Sequence, residues 1–310
     1  MKYFTLLFYK YTFIEEPEVF AIRHLKLCKK LNLTGRVFIA SEGINGTVSG
    51  SEENCQTYMN ELISNPVFKG IEFKIDEVDK PSFNRMHVRH KKEICAFGDR
   101  EHLLNPNEMT GKYLEPEEFL KMKDDKDVVV LDVRNKVEYD LGRFKNALSM
   151  DLESFKDFPK KINELEQYKD KKILAYCTGG IRCEKATAYL LKQGFKNVFH
   201  LHGGIIKYGK DTGGKDFEGK CYVFDKRLSV DVNSINPSLV SKCYNCGTTT
   251  VRLINCANPE CNIHVCQCEN CGEKYDGACS EECRHHPQKR KYDGSGYYSK
   301  PSLEEINFSH

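Results

Sequence analysis

Residues 177–183 read Cys177-Thr178-Gly179-Gly180-Ile181-Arg182-Cys183. They stand between the apolar run Ile173-Leu174-Ala175-Tyr176 and the helix-forming run Glu184-Lys185-Ala186-Thr187-Ala188-Tyr189-Leu190-Leu191. A strand that ends at a cysteine, passes through two glycines and enters a helix has the geometry that holds a thiolate over a ring of backbone N–H groups. An inert buried cysteine would leave the glycine turn unexplained. The stretch therefore predicts an active-site loop.

An alternating α/β pattern surrounds this loop. The continuous apolar run Val128-Val129-Val130-Leu131 is typical of a buried parallel strand. The other predicted elements are a helix from Pro116, a helix near residues 159–168, strands at 173–176 and 198–201, and a helix from Cys183. This order predicts a parallel sheet with its functional site at the carboxyl ends of the strands.

Residues 1–80 carry a different order of elements. The predicted elements are strands at 3–13, 36–40, 46–49 and 71–75, a helix at 17–31, and a helix from Ser51 to Asn65-Pro66. The order βαββαβ predicts a ferredoxin-like, acylphosphatase-like domain with both helices on one face of an antiparallel sheet. The segment between its two middle strands is either a tight turn or a loop whose Glu42 and Asn45 contact a substrate.

Residues 81–112 are predicted to be a basic connector, with Arg85, Arg89, Lys91 and Lys92 among its cations. Two interpretations stay open: a solvated charged face, or a surface that follows a phosphate backbone. The whole chain is no polycation, because 47 Lys and Arg residues nearly balance 45 Asp and Glu residues, for a formal charge of +2. Any nucleic-acid contact must therefore come from a local patch.

Nine of the 15 cysteines fall between Cys243 and Cys283. Eight of them form four pairs at metal-ligand spacing, Cys243-x2-Cys246, Cys256-x4-Cys261, Cys268-x2-Cys271 and Cys279-x3-Cys283. Two tetrahedral zinc ions would use these eight thiolates and leave Cys266 over, with His264, His285 and His286 as reserve ligands. Sequential and interleaved pairings fit equally, and a redox-labile thiol cluster is the alternative to a metal.

These cysteines predict a closed, structural zinc segment over residues 243–286. A linker at residues 214–242 precedes it, and the polar, basic residues 287–310 are expected to form a flexible tail.

The beginning of the chain does not fit a secretory signal peptide, because its apolar run is short and Lys10 interrupts it. No other stretch approaches the roughly 20 apolar residues of a membrane span. Both features predict a cytoplasmic protein. A reducing compartment favours metal ligation or catalysis over disulfides for the cysteines.

Four motifs in order resemble the rhodanese domain over about residues 113–213. They are Leu131-Asp132-Val133-Arg134, Glu138-Tyr139, the loop from Cys177 to Arg182, and Leu201-His202-Gly203-Gly204. The resemblance implies that Cys177 lies at the bottom of an anion cradle formed by Thr178, Gly179, Gly180, Ile181, Arg182 and Cys183. The field of such a cradle lowers a thiol pKa, and the thiolate is the nucleophile.

The six-residue loop from Cys177 to Arg182 is similar to sulfurtransferase loops, whereas the related phosphatases carry one residue more. Arg182 is expected to donate hydrogen bonds to a bound anion or persulfide. Asp132 and Arg134 are expected to brace the loop. Cys183 is expected to be a structural residue of the first helical turn, with a resolving thiol as the alternative.

From end to end the chain resembles the bacterial tRNA uridine(34) hydroxylase family. The resemblance rests on Gly35-Arg36-Val37-Phe38-Ile39-Ala40-Ser41-Glu42-Gly43-Ile44-Asn45-Gly46-Thr47, Lys92-Glu93-Ile94, the rhodanese motifs, Val223-Phe224-Asp225-Lys226-Arg227 and the cysteine-rich tail. It implies conversion of the wobble uridine of tRNA to 5-hydroxyuridine, with molecular oxygen as co-substrate and Cys177 as the essential residue.

The residues expected to contact the anticodon arm of tRNA are Arg36, Glu42, Asn45, Arg85, Arg89, Lys91 and Lys92. No fingerprint of an organic cofactor, whether flavin, nicotinamide or haem, is visible in the sequence. Two alternatives to hydroxylation stay open. One is a sulfurtransferase that carries a persulfide on Cys177, and the other is a non-enzymatic scaffold with an RNA- or protein-binding zinc tail.

Overall fold

The computed structural model describes residues 2–98 and 104–298. Its N-terminal part consists of one β-sheet and two α-helices. Its elements are β1 (Tyr3–Tyr11), α1 (Pro17–Lys30), β2 (Thr34–Ala40), β3 (Gly43–Ser51), α2 (Glu52–Ile63), β4 (Glu72–Val78) and β5 (Met86–His90). The strand order is β4-β1-β3-β2-β5, with β5 parallel to β2 and the other neighbours antiparallel. The predicted βαββαβ order is confirmed, and β5 is an additional strand formed by part of the basic connector.

One face of this sheet is covered by α1 and α2. The strands contribute Leu6, Phe8, Val37, Ile39, Ile44 and Val48 to a core that both helices complete. Pro17 begins α1 in the first turn, where its missing N–H costs nothing, and the Ser51 hydroxyl caps α2 by accepting a hydrogen bond from the Asn54 N–H. Neither helix covers the opposite face of the sheet, which we name the free face.

The hairpin between β2 and β3 is tighter than the sequence predicted. Ala40 pairs with Gly43, so that only Ser41 and Glu42 form the turn, and Asn45 lies within β3 instead of a loop. Gly43 has a φ of +142°, and a Cβ atom there would lie 2.0 Å from the Lys10 carbonyl oxygen. Glycine is therefore required where β3 passes close to β1.

The central part of the chain forms a parallel sheet. Its elements are β6 (Lys112–Leu114), α3 (Pro116–Met122), β7 (Val128–Asp132), α4 (Lys136–Leu141), β8 (Gly142–Phe144), β9 (Leu148–Ser149), β10 (Lys172–Tyr176), α5 (Ile181–Lys192), β11 (Asn197–Leu201) and α6 (Gly204–Thr212). The strand order in the sheet is β6-β11-β10-β7-β9, and all neighbouring strands are parallel. The predicted parallel sheet is confirmed, and its carboxyl ends include the end of β10, where Cys177 begins the loop into α5.

One predicted helix has a different geometry. Pro159–Tyr168 forms a 3-10 helix, and its buried Ile162 and Leu165 are three residues apart. That spacing matches the three residues per turn of a 3-10 helix.

The C-terminal part contains short elements. They are β12 (Phe217–Gly219), β13 (Cys221–Tyr222), β14 (Ser229–Val230), β15 (Leu253–Asn255), β16 (His264–Cys266), α7 (Glu269–Lys274) and α8 (Glu281–Arg284). β12 pairs with β8 of the central part, and β15 pairs with β16 in a hairpin that carries the cysteine clusters.

Residues 99–103 of the predicted connector and residues 299–310 of the predicted tail lie outside the described residues. Within the described part of the chain, no helix combines the length and the apolar character needed to cross a bilayer.

Candidate active site and metal centres

The loop between β10 and α5 wraps its backbone around the sulfur of Cys177. Gly180 adopts a φ of +102°, which turns its N–H toward the Cys177 Sγ at 3.2 Å. In the first turn of α6, the Ile205 N–H donates a hydrogen bond to the Cys177 carbonyl oxygen at 2.9 Å. A Cβ atom on Gly204 would lie 2.6 Å from that same carbonyl oxygen, so this approach requires glycine.

The environment of Cys177 favours the thiolate. Complete burial opposes ionisation, but a hydrogen bond from the Cys183 thiol, the charge of Arg182 and backbone N–H groups outweigh burial and lower the pKa of Cys177 to about 6. Burial and the same hydrogen bond raise the pKa of Cys183 well above its usual range. Cys177 is therefore an ionised nucleophile at neutral pH, while Cys183 remains a protonated thiol.

Arg182 is held by a buried carboxylate. Its two terminal nitrogens donate to Glu138 Oε1 and Oε2 at 2.6 and 2.7 Å, and Thr178 Oγ1 donates to the same carboxylate at 3.2 Å. Glu138 is 1% exposed; burial raises its pKa, but the guanidinium charge of Arg182 outweighs this and keeps the pKa below its usual value. The charge of Arg182 thus acts on Cys177 while its terminal N–H groups serve Glu138, a pairing that the sequence did not indicate.

Asp132 and Arg134 form a second buried pair. Arg134 donates to Asp132 Oδ2 at 2.7 Å and to the Gly142 carbonyl at 2.6 Å. Both side chains are buried, and neither lines the cavity above Cys177. They brace the connection from α4 to β8, and the charge of Arg134 helps to lower the pKa of Glu138.

Cys177 lies at a cavity of about 330 Å³ between the central loop and the free face of the N-terminal sheet. Leu7 and Tyr9 of β1 touch the loop, because a Cβ atom on Gly179 or Gly180 would lie 2.8 or 2.9 Å from them. The aromatic side chains that line this cavity are Tyr9, Phe38, Phe83, Phe155 and Phe224. A thiolate and aromatic walls in one cavity suit a planar, electrophilic substrate.

Phe224 is one of the wall residues that sequence reasoning missed, although its motif was noted. It is 53% exposed at the cavity and lies 5.8 Å from the Arg182 guanidinium. Arg227, three residues on, donates to Asp225 Oδ2 at 2.6 Å and to Asp76 Oδ2 of β4 at 3.1 Å. This clamp fixes the segment of Phe224 to the N-terminal sheet.

Lys185 of α5 links the turn between β2 and β3 to the segment at residues 93–95. It is 2% exposed, and its Nζ donates to Glu42 Oε1 at 2.9 Å, to Glu93 Oε1 at 3.1 Å and to the Cys95 carbonyl at 3.0 Å. Glu42 also accepts the Ile94 N–H at 2.7 Å. The predicted substrate residue Glu42 is therefore placed in an internal brace.

Asn45, the second residue that the sequence predicted to contact a substrate, both contacts the connector and lines the cavity. Its side-chain amide donates to the Ile94 carbonyl at 3.0 Å, and the residue also lines the Cys177 cavity. It holds the connector and borders the space available to a substrate.

Glu184 anchors Tyr9 on the other side of the loop. The Glu184 carboxylate accepts hydrogen bonds from Tyr9 Oη at 2.9 Å, from Tyr113 Oη at 2.9 Å and from Thr110 Oγ1 at 3.0 Å. Burial outweighs these bonds and raises the pKa of Glu184. Sequence reasoning missed this residue, and the available signal was a charged pair, Glu184 and Lys185, directly before the mostly apolar residues 186–191 of the helix.

The predicted basic residues follow the free face of the N-terminal sheet, where Arg36 also lines the cavity. Register places Leu7, Thr47, Arg36 and His87 in one row across β1, β3, β2 and β5, and Tyr9, Asn45, Phe38 and Arg89 in the next. Partial burial and the charges of Arg89, Arg36 and Arg85 lower the pKa of His87. Each row begins at a residue that lines the cavity, Leu7 or Tyr9, and ends at an exposed residue of β5.

The predicted connector lysines continue this edge. Lys91 extends β5 by donating its N–H to the Ile39 carbonyl at 2.8 Å, and its Nζ lies 5.9 Å from the centre of the Phe38 ring. Lys91 and Lys92 are both exposed. We name the exposed side chains of Arg36, Arg85, Arg89, Lys91 and Lys92 the basic edge.

The eight paired cysteines form two groups with interleaved pairing. One group is Cys243, Cys246, Cys268 and Cys271, and the other is Cys256, Cys261, Cys279 and Cys283. Within each group all sulfur atoms lie within 4.8 Å of one another, so each group could hold a metal ion.

The spacing of the sulfur atoms suits zinc. The Sγ atoms of Cys246 and Cys268 are 3.7 Å apart, as are those of Cys261 and Cys279. A tetrahedron with Zn–S bonds of about 2.3 Å has edges of about 3.8 Å. Among the described residues, Cys266 and the histidines proposed as reserve ligands join neither group.

Three family models match consecutive parts of the chain. They are the UPF0176 acylphosphatase like domain at residues 3–94, the rhodanese-like domain at residues 115–211 and the rhodanase C-terminal model at residues 218–284.

The chain is also similar over nearly its full length to curated proteins named tRNA uridine(34) hydroxylase. The protein from Cytophaga hutchinsonii is 56% identical over 298 residues, which cover 96% of this chain and 95% of that protein. The protein from Staphylococcus saprophyticus is 50% identical over 293 residues, and that from Enterococcus faecalis is 49% identical over 293 residues. Each of these two alignments covers 94% of this chain and 92% of the relative.

Proposed function

The chain belongs to the tRNA uridine(34) hydroxylase family, and we propose that it converts the wobble uridine of tRNA to 5-hydroxyuridine in an oxygen-dependent reaction at Cys177. The observation that carries this proposal is an ionised cysteine in an aromatic-walled cavity of about 330 Å³ between two domains. Ligand pockets span roughly 300–1,000 Å³, and this cavity is at the lower end, which suits a single base.

The base reaches the cavity by leaving its stack. A wobble base belongs to a single-stranded loop, so the cost of flipping is small. Phe224, exposed at the cavity and fixed through Arg227, offers an aromatic face on which the base stacks. Asn45 borders the same space and is the candidate for a hydrogen bond to the uracil edge.

The basic edge contacts the phosphates of the anticodon arm. Its cations are exposed, and Arg36 and Arg89 lie on the rows of the sheet that reach the cavity, so a backbone lying on them places a flipped base near Cys177. Glu42 is not part of this contact in our proposal, because Lys185 and the Ile94 N–H occupy its carboxylate.

The chemistry begins with the Cys177 thiolate. Addition of the thiolate to C6 of uracil makes C5 electron-rich, and C5 then attacks oxygen. The loop N–H groups and the charge of Arg182 keep the sulfur ionised before the addition. We assign no direct contact with the substrate to Asp132 or Arg134.

The remaining parts of the chain have supporting roles. We propose zinc for both cysteine groups, where it would hold a segment with few apolar residues in its fold. We also propose that the chain divides near residues 80, 113, 213, 243 and 286, as the sequence patterns indicate. A cytoplasmic location follows from a tRNA substrate.

Sulfur transfer from a Cys177 persulfide is not favoured. The rhodanese loop is compatible with it, but the relatives that match nearly the whole chain are named as hydroxylases.

Nucleoside mass spectrometry tests the proposal. A strain that lacks the enzyme is complemented with the wild-type chain or with Cys177→Ala, and tRNA nucleosides are quantified. We expect 5-hydroxyuridine with the wild-type chain and none above the empty-vector level with Cys177→Ala. Restoration by Cys177→Ala, at matched protein levels, would contradict a role of this thiol in hydroxylation.

A further inference from the structure

Hydroxylation by molecular oxygen takes up two electrons. One oxygen atom enters the C–H bond, and the other leaves as water together with two protons and two electrons. Two thiols that become one disulfide release that number of electrons and protons. A pair of contacting thiols at the site is therefore a sufficient donor for one turnover.

Cys177 and Cys183 are such a pair. Both residues are fully buried in the same apolar cluster, and the Cys183 side chain is one of the groups that lower the pKa of Cys177. The backbone holds them around one turn: Gly180 donates its N–H to the Cys177 Sγ at 3.2 Å and accepts the Cys183 N–H at 3.1 Å. Cys183 does not line the cavity, so it meets Cys177 and not the substrate.

We propose that Cys177 and Cys183 supply the two electrons of hydroxylation and end each turnover as a disulfide. This inference rests on the proposed hydroxylase function and adds the resolving thiol and the electron source to it. The overall reaction is uridine plus oxygen plus two thiols, giving 5-hydroxyuridine, one water and one disulfide.

Each step balances. The Cys177 thiolate adds to C6, and the electron pair displaced to C5 forms a bond to oxygen, which gives a C5 hydroperoxide after protonation. Loss of the C5 proton expels the Cys177 thiolate and restores the C5–C6 double bond. The thiolate then attacks the outer peroxide oxygen, which breaks the O–O bond and leaves 5-hydroxyuridine and a Cys177 sulfenic acid.

Cys183 completes the cycle. Its sulfur attacks the sulfenic sulfur of Cys177, the S–S bond forms, and the hydroxyl group leaves as water with the Cys183 proton. An external dithiol returns both residues to the reduced state by thiol–disulfide exchange.

The difference between the two thiols supports these roles. Cys177 is ionised at neutral pH and therefore attacks both C6 and the peroxide. Burial and the contact with Cys177 keep Cys183 protonated, so it brings the proton that water requires. Arg182, whose guanidinium remains charged beside Glu138, and Glu184 also act on this pair. The other ionisable groups that interact with Cys177 are Tyr9, Lys74 and Cys95.

A single-turnover experiment tests the inference. The full-length metal-loaded protein is reduced, freed of reductant without oxygen, mixed with excess unmodified tRNA and exposed to oxygen. We expect 5-hydroxyuridine to stop at about one per enzyme, with an equal amount of the Cys177–Cys183 disulfide in peptide mass spectra. Added dithiothreitol should restore repeated turnover.

Two variants sharpen this readout. With Cys183→Ala, the product of the first turnover should be accompanied by a Cys177 sulfenic acid that dimedone traps, and by no disulfide. Cys221→Ala removes another fully buried cysteine, outside the site, and should behave as the wild type. If Cys183→Ala fails to fold, the wild-type disulfide count still decides the question.

A tRNA-free arm separates the two possible failures. One equivalent of hydrogen peroxide should give the Cys177–Cys183 disulfide in the wild-type protein. If 5-hydroxyuridine accumulates beyond one per enzyme without reductant while both thiols stay free, the inference is wrong and the hydroxylase function stands. If peroxide forms the disulfide but no tRNA is hydroxylated under any reductant, the hydroxylase function is wrong, and with it this use of the thiols.

Discussion

The substitution Glu138→Gln probes the buried ion pair that supports the Cys177 loop. In the wild-type structure both terminal nitrogens of Arg182 donate to Glu138, at 2.6 and 2.7 Å, and the carboxylate is 1% exposed. Glutamine keeps the size and one acceptor oxygen of the side chain. It removes the negative charge and replaces the second acceptor with a donor.

The expected cost follows from the burial of the pair. Removing one partner of a buried ion pair leaves an uncompensated charge and costs about 3–5 kcal/mol. Because glutamine retains one hydrogen bond to Arg182, we expect the lower end, about 3 kcal/mol. With a urea dependence of about 3 kcal/mol per molar, the unfolding midpoint falls by about 1 M.

A second effect of Glu138→Gln has the opposite direction. The charge of Arg182 is no longer balanced, so the pKa of Cys177 should fall below its wild-type value of about 6. The variant is therefore less stable, but its Cys177 is ionised at lower pH. A merely destabilised loop would instead expose the thiol and return its pKa toward the usual range.

Urea unfolding and the pH dependence of Cys177 alkylation measure the two effects. The control is Asp140→Asn on the same helix, which removes the exposed ion pair of Lys136 and Asp140 at 2.8 Å and should cost less than about 1 kcal/mol. The difference in unfolding free energy between the wild type and Glu138→Gln should have its full size above about pH 5 and shrink at lower pH. The reason is that a carboxylate whose pKa is lowered in the folded state loses its contribution to stability when it is protonated. Equal midpoints for Glu138→Gln and Asp140→Asn would refute the reasoning.

Four further predictions address other parts of the structure. The rate of Cys177 alkylation by iodoacetamide should rise to half its maximum near pH 6, and a midpoint near pH 9 would contradict the loop's effect on the thiol. Lys185→Met should lower the unfolding free energy by about 3 kcal/mol, because it leaves Glu42 and Glu93 without their buried cation; urea unfolding measures this, and a change below about 1 kcal/mol would show that the brace is weak. Arg89→Gln should weaken tRNA binding and reduce the salt slope by about one, whereas the exposed Arg23 on α1 should tolerate the same change; equal effects would remove the basic edge from the interface. A chelator should release two equivalents of zinc and unfold the segment of the two cysteine groups, as followed by metal analysis and limited proteolysis, and a protein without metal but with an intact segment would contradict a structural zinc role.

The elements of the fold could be predicted because their signals are local. The alternation of apolar residues and the turn residues of the first 80 positions indicate βαββαβ, and the apolar runs at 128–131 and 173–176 indicate buried parallel strands. The loop at Cys177 is a local signal as well, since strand, glycines and helix follow one another directly.

The contacts that build the site could not be predicted in the same way. Arg182 finds Glu138 44 residues away, and Lys185 finds Glu42 143 residues away. The first pair depends on how α4 and α5 pack within the central part, and the second depends on how the two sheets meet. No periodicity within one element carries that information. The role of Phe224 in the cavity wall has the same origin, because a later segment must return to the N-terminal sheet through Arg227.

The two cysteine groups show which features can be predicted from local sequence and which cannot. Ligand type and number follow from the spacing of cysteines along the chain. The interleaved pairing depends on the hairpin of β15 and β16, which sets where Cys268 and Cys271 lie relative to Cys243 and Cys246. Both pairings satisfy the same local spacing, so only the tertiary structure distinguishes them.

The proposal that Cys177 directs oxygen to the wobble uridine is tested most directly with isotopic oxygen. Purified protein, unmodified tRNA and dithiothreitol are incubated under ¹⁸O₂ in ordinary water, and the nucleosides are analysed by mass spectrometry. We predict 5-hydroxyuridine at the wobble position that carries one ¹⁸O atom, and no such product with Cys177→Ala. Oxygen derived from water, or labelled product of equal yield from Cys177→Ala, would contradict the account.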